Sequence, residues 1–301
     1  MTDQISFDAI LPPGMAVKAE DLGVKKANLS AANMFALAVL AGAFIGIGAI
    51  FATTVAAGGM SVKDAAGAAA FSTGFPYGVT RLLVGLVFSV GLILVVVGGA
   101  ELFTGNTLIT MAYASKKVTL AQLLRNWGIV YVGNLVGSVL TAYIVFLGKQ
   151  YSFGSGAIGL AALNIGEAKT ALTFVQAVAL GIMCNALVCM AVWMCYSART
   201  TTDKILAIIP PISCFVAAGF EHSIANMYFI PYALSIKYFD PQFVAAVGDR
   251  VPDLDLLTWQ AFFMKNLIPV TIGNIIGGAV LVAAVYWAIF LRPANQSRPP
   301  A

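Results

Sequence analysis

The sequence predicts an all-α polytopic membrane protein, and three observations carry that prediction. Hydrophobic residues fill 60% of 301 positions and charged residues only 10%, with a mean hydropathy of +0.89. Soluble domains carry roughly 25% charge. Charges also gather at the ends of long apolar runs. One charged and titratable pair, Glu221-His222, breaks that pattern inside a run, and His222 is the only histidine in the chain.

Uncharged stretches run from Ala27 to Val62, Leu82 to Ala100, Asn126 to Gly148, Thr170 to Ala198, Ile205 to Phe220 and Asn266 to Leu291. Each contains or borders a helix of about 20 residues, the length that crosses a hydrocarbon core. Six spans follow. The second stays apolar past Glu101 to about Ser115, and the fifth past Glu221-His222 to about Ile236. Unbroken, these would be about 50 Å long at 1.5 Å per residue, against a core of about 30 Å. Two discontinuous helices, each broken near the membrane centre, are the economical reading.

The two breaks resemble each other. Gly99-Ala100-Glu101 with Asn106, and Gly219-Phe220-Glu221 with Asn226, share a G-x-E-x4-N pattern. Arg125-Asn126 followed by Gly133-Asn134-Leu135-Val136-Gly137 matches Lys265-Asn266 followed by Gly273-Asn274-Ile275-Ile276-Gly277 at identical spacing. Gly42 and Gly46 of the first span fall opposite Gly181 and Asn185 of the fourth. The chain thus reads as one channel domain over 1–301. An N-terminal segment (1–30) precedes two half-repeats (31–148 and 170–292), and a proline-rich, disordered tail (293–301) follows. Three spans per half insert the halves in opposite orientations, as an inverted repeat. Ten of the seventeen Lys and Arg lie on the side of both termini, which the positive-inside rule places in the cytoplasm. Asp8 to Leu22 is read as a short amphipathic helix on the membrane surface, with Pro12, Pro13 and Gly14 limiting how early it starts.

A broken helix leaves unpaired backbone N–H groups at the start of its second half, and that end suits an anion. Thr104 and Ser223 are natural N-cap types at the two breaks. A central, anion-tolerant pathway is therefore expected. His222 is the only side chain in the chain whose unperturbed pKa lies near neutrality, and serves there either as a hydrogen-bond donor to a weak-acid anion or as a proton donor. Glu101 and Glu221 hold the broken backbone. Asn134, Asn185 and Asn274 either line the path or tie helices together. The GN(L/I)(V/I)G stretches favour close helix contact. Cys184, Cys189, Cys195 and Cys214 lack metal or redox spacing and are read as buried structural thiols. No metal ligand set, cofactor motif, catalytic constellation or nucleic-acid surface is evident, so an enzyme is not expected.

Four stretches together carry a resemblance to a known family: Ala100-Glu101-Leu102-Phe103-Thr104-Gly105, Cys184-Asn185-Ala186-Leu187-Val188-Cys189, Phe220-Glu221-His222-Ser223-Ile224-Ala225-Asn226-Met227, and Asn266-Leu267-Ile268-Pro269-Val270-Thr271-Ile272-Gly273-Asn274. From about Phe7 to Arg292 the chain resembles the formate/nitrite transporter family, and within it the bacterial formate channels. The resemblance implies an aquaporin-like fold of six spans, a homopentamer with a pore in each subunit, and a bacterial inner membrane setting among lipid. It implies passage of formate, nitrite or similar small monovalent anions, with or without protons. It also implies a gating loop at Leu102-Phe103-Thr104, with Thr104 facing His222. Lys169 and Asn185 would stand on the outer approach and pore wall, with Glu221 and Asn274 near the centre. Phe88, Leu92, Val188 and Phe215 would form apolar constrictions. Gly105-Asn106 departs from the formate-type pattern, which often has Ser after the threonine, and looks nitrite-like. Substrate choice among formate, nitrite, hydrosulfide, acetate and lactate stays open.

Overall fold

The computed structural model describes residues 8–58, 61–63, 69–72 and 74–292. The expected disordered tail lies outside them. Six helices in the described residues are long and apolar enough to cross a membrane. They are α2 (Ala31–Ala56), α3 (Tyr77–Gly98), α6 (Leu120–Leu147), α8 (Phe174–Ser197), α9 (Thr201–Ala218) and α12 (Trp259–Leu291). One element departs from the all-helical expectation, a small antiparallel hairpin pairing Ser61–Lys63 with Ala69–Ser72.

Helix starts follow local chemistry. α1 (Pro12–Ala27) begins on prolines, whose missing N–H costs nothing in a first turn. It starts later and ends later than expected. Its inner face, with Met15, Ala16, Ala19 and Gly23, is buried. Ser30 caps α2, while α6, α8 and α9 each open with a reciprocal cap, Thr119/Gln122, Thr173/Gln176 and Thr200/Asp203. In α12, wider π-type turns run over Phe262–Leu267, Ile276–Ala284 and Trp287–Leu291.

Both expected breaks are present. α3 ends on Gly99 at φ +73° and α9 on Gly219 at φ +79°, the left-handed geometry that glycine enters without steric cost. Three non-helical residues follow each glycine. The chain then resumes as α4 (Phe103–Asn106) and α5 (Thr110–Ala114), joined by the tight turn Thr107–Ile109, and as α10 (Ser223–Phe239). The arms are unequal at the first break. α3 has 22 residues, about 33 Å long, which alone matches a full span. Thr104, three residues past Glu101, nevertheless meets His222 of the second break at 3.0 Å, so the two breaks lie at one depth. At the second break, α9 with 18 residues and α10 with 17 are nearly equal.

α2 packs on α3 and α6, and α8 on α9 and α12. Close approach is made at glycines. A side chain at Gly137 would strike the Val39 carbonyl, and one at Gly277 the Ile182 carbonyl. Two short helices outside the six spans were not expected, α7 (Ala157–Thr170) and α11 (Pro241–Val247). α7 occupies in the second half the place that α1 has in the first. The repeating unit is thus longer than the span-only boundaries 31–148 and 170–292, since each half opens with a short helix. The first-span alignment also needs correction by one helical turn. Asn134 donates to the Ala38 carbonyl and Asn274 to the Gly181 carbonyl. Gly181 therefore corresponds to Ala38, and Asn185 to Gly42. Of the four cysteines, Cys214 is exposed, contrary to expectation; the other three are buried.

Candidate functional site

Each break is held by the same set of groups. At the first, Lys26 Nζ lies 2.8 Å from Glu101 Oε1, while Asn106 Nδ2 donates to Glu101 Oε2 at 2.7 Å and to Asn126 Oδ1 at 2.9 Å. Asn126 Nδ2 returns to the Lys26 carbonyl at 3.1 Å. At the second, Lys169 Nζ lies 2.7 Å from Glu221 Oε1, and Asn226 Nδ2 donates to Glu221 Oε2 at 2.6 Å and Asn266 Oδ1 at 2.7 Å. Asn266 Nδ2 returns to the Lys169 carbonyl at 2.9 Å. Helix-borne Asn134 and Asn274 close the loops by accepting from the N–H of Phe103 and Ser223, both at 2.9 Å, and donating to the carbonyls of Glu101 and Glu221. The physical reason is common to both. Irregular backbone and a carboxylate away from water are tolerated only when their polar groups are satisfied inside the protein.

A cavity also lies at each break, its walls drawn from both halves. One, of about 300 Å³, is lined by Lys169, Leu180, Phe215, Val216, Gly219, Phe220, Glu221, His222, Ala225 and Asn226, with Arg81, Phe88 and Phe229 among the others. The other, of about 500 Å³, is lined by Lys26, Leu37, Val95, Val96, Gly99, Ala100, Glu101, Leu102, Gly105 and Asn106, with Leu92, Lys18, Lys25 and Lys204 among the others. The two sets of ten are equivalent position by position. The cavities share no lining residue.

Thr104 and His222 meet at 3.0 Å between Oγ1 and Nε2, both buried. Neither Thr104 nor Ser223 caps its helix, contrary to the sequence reading. His222 itself is the N-cap of α10, its Nδ1 accepting from the Ala225 N–H at 3.0 Å. A nitrogen that accepts carries no proton, so the neutral ring has its proton on Nε2, directed at Thr104 Oγ1. The Leu102 cap of α4 has no side-chain hydrogen bond. Thr104 is fixed from behind, where its carbonyl accepts from Thr107 Oγ1 at 2.6 Å, Asn185 Nδ2 at 3.2 Å and Cys189 Sγ at 3.5 Å.

The remaining expected site residues divide by position. Phe88 and Phe215 line the first cavity in edge contact, with ring centroids 5.8 Å apart, and Phe215 stacks on His222 at 5.9 Å. Leu92 and Leu102 line the second cavity. Lys169, which the resemblance sets on the outer approach, belongs to α7 and lines the first cavity beside Glu221. Phe103 packs on Trp127 and Tyr131 and lines neither cavity. Val188, Asn185 and Asn274 are buried outside both linings; Asn274 spends its amide on backbone groups, and Asn185 donates to the Thr104 and Asn274 carbonyls and to Thr107 Oγ1. Lys26 was missed as a site residue. The repeat would have pointed to it had the first spans been aligned one turn over, because Lys26 and Lys169 then coincide.

A family model described as Formate/nitrite transporter matches residues 13–288. The chain belongs to that family. It is 46% identical over 288 residues to the formate channel FocA of Escherichia coli K12, covering 95% of this chain and 96% of the relative. It is 40% identical to the formate channel FocA of Haemophilus influenzae, covering 93% and 94%. A solved pentameric formate channel with formate bound superposes with a TM-score of 0.75 at 47% identity, covering 87% of this chain and 98% of that one. An ion channel of the same family gives 0.73 at 28% identity, covering 91% and 98%.

Proposed function

We propose that the chain is a channel or proton-linked carrier for formate and related small monovalent anions across the bacterial inner membrane. It works as a homopentamer with a pore in each subunit, with inverted halves and both termini cytoplasmic. The similarity to formate channels over nearly the full length supports this reading. The observation that carries it is the Thr104–His222 contact standing between two cavities, each with its own Lys–Glu pair.

A bare carboxylate loses its hydration where the lining turns apolar at Phe88 and Phe215 on one side and Leu92 and Leu102 on the other. The anion meets the Nε2–H of His222 at the centre. A hydrogen bond from that group lowers the charge that must be carried past the apolar rings; a proton itself can be handed over only by a doubly protonated ring, which first gives up the Nδ1 cap on the Ala225 N–H. Lys169 and Lys26 steady the approach through their carboxylate partners. The roles of Asn185 and Asn274 in this scheme are to hold the Thr104 carbonyl and the start of α10 in place.

Formate flux into proteoliposomes tests the reading. Flux is expected to rise at low external pH and to fall in His222→Ala; unchanged flux in that variant would remove His222 from the mechanism. Nitrite is the second reading, favoured by Gly105-Asn106. A competition series of formate, nitrite, hydrosulfide, acetate and lactate at two pH values separates the two, since the physiological anion competes at the lowest concentration.

A further inference from the structure

The two cavities match in their ten shared positions but not in charge. Around Glu221 the cations are Arg81 and Lys169, and both are engaged. Arg81 donates to the carbonyls of Val216 and Ala217, and Lys169 pairs with Glu221. Around Glu101 the lining holds four lysines, Lys18, Lys25, Lys26 and Lys204, against one carboxylate. Lys26 takes that carboxylate. Lys18 donates to the Tyr196 carbonyl, a neutral partner. Among the described residues, Lys25 and Lys204 have no ion-pair partner. Among the acids of the same segments, Glu20 and Asp21 pair with Lys117, and Asp203 accepts from the N–H groups of Arg199 and Thr200. Burial, then the charges of Lys204 and Arg199, hold the Lys18 ammonium below its ordinary value, so these cations feel one another.

Three cations beyond the one that Glu101 neutralises exceed what a single monovalent anion can balance. A cavity of about 500 Å³ is also far larger than a three-atom carboxylate needs, and falls in the range of sites for organic ligands. Leu92 and Leu102 stand among its lining residues. From this geometry we infer a second binding site, for a polyvalent phosphate or polycarboxylate, in the cavity around Glu101, where Lys18, Lys25 and Lys204 hold it. Such an anion is too large and too highly charged to pass the leucines. Its occupancy would plug the pore from the side that carries the termini, and would do so less well as salt rises.

The experiment is pyrophosphate binding to the purified full-length protein, followed calorimetrically at low and at physiological salt. It is compared with the triple variant Lys18→Gln/Lys25→Gln/Lys204→Gln and with Lys149→Gln/Arg250→Gln as a control elsewhere on the surface. Monodisperse elution at the native position checks folding of each variant. Binding weakened tenfold or more in the triple variant and unchanged in the control supports the site. Equal binding in all three proteins, or no binding by the native protein at low salt, overturns it. Because binding is read without transport, failure here is distinct from failure of the formate reading. If pyrophosphate binds at this site, it should slow anion flux from one face only; equal slowing from both faces would count against the placement.

Discussion

The break around Glu101 and the break around Glu221 share a frame and differ at the tip. Lysine, glutamate and two asparagines recur in both with the same partners, and a left-handed glycine opens each. At the cap, however, one half has Leu102 and the other His222. Two residues on, one has Thr104 and the other Ile224. The polar contact is made once, from one member of each half. Satisfying a broken backbone is needed twice, so its solution is duplicated. Handling one small anion is needed once, so the chemistry is divided between the halves.

The comparison is most severely tested by the lysines. Lys26→Met and Lys169→Met each leave a buried carboxylate without its cation, a loss of about 3–5 kcal/mol. Thermal melting in detergent should show similar depressions for both; a loss confined to one would mean that the frames are not equivalent. Next comes His222→Leu, which makes the second tip a copy of the first. It removes a cap worth about 1 kcal/mol along with the Nε2–H. Formate flux should drop toward that of empty liposomes while the assembled protein persists on a sizing column. Gly99→Ala and Gly219→Ala force a side chain into the left-handed region, at about 1–2 kcal/mol each, and should lower the melting midpoint alike. Thr104→Val is the mildest, giving up one hydrogen bond worth about 1 kcal/mol. It should slow flux with little change in melting, whereas Thr104→Ser, which keeps the hydroxyl, should retain flux.

Much of this was legible in the chain, for a physical reason. Glu101, Glu221 and His222 stand out because polar groups in apolar runs are costly and have to be accounted for. The six spans and both breaks followed from run length. Lys26 and Lys169 were harder to read, because a lysine in the last turn of a short helix looks like any solvated charge until its partner is placed in space. α7 was hidden by its Ala, Gly and charged residues, which carry no clear apolar period. The cap of α10 was misplaced because serine and threonine compete for that role by propensity, while the geometry chose the imidazole. Asn185 and Asn274 could be recognised as polar residues inside helices, but most of their partners are backbone groups, which sequence does not display.

The cap at His222 has one further consequence. A water-like proton wire needs a ring that receives on one nitrogen and releases from the other. Here Nδ1 is closed off by the Ala225 N–H, so traffic can enter and leave only through Nε2. The imidazole is a cul-de-sac for protons: its one N–H can be offered to a visitor as a hydrogen bond, and the neutral ring does not give it up. A ring held in this way passes no proton from one of its nitrogens to the other.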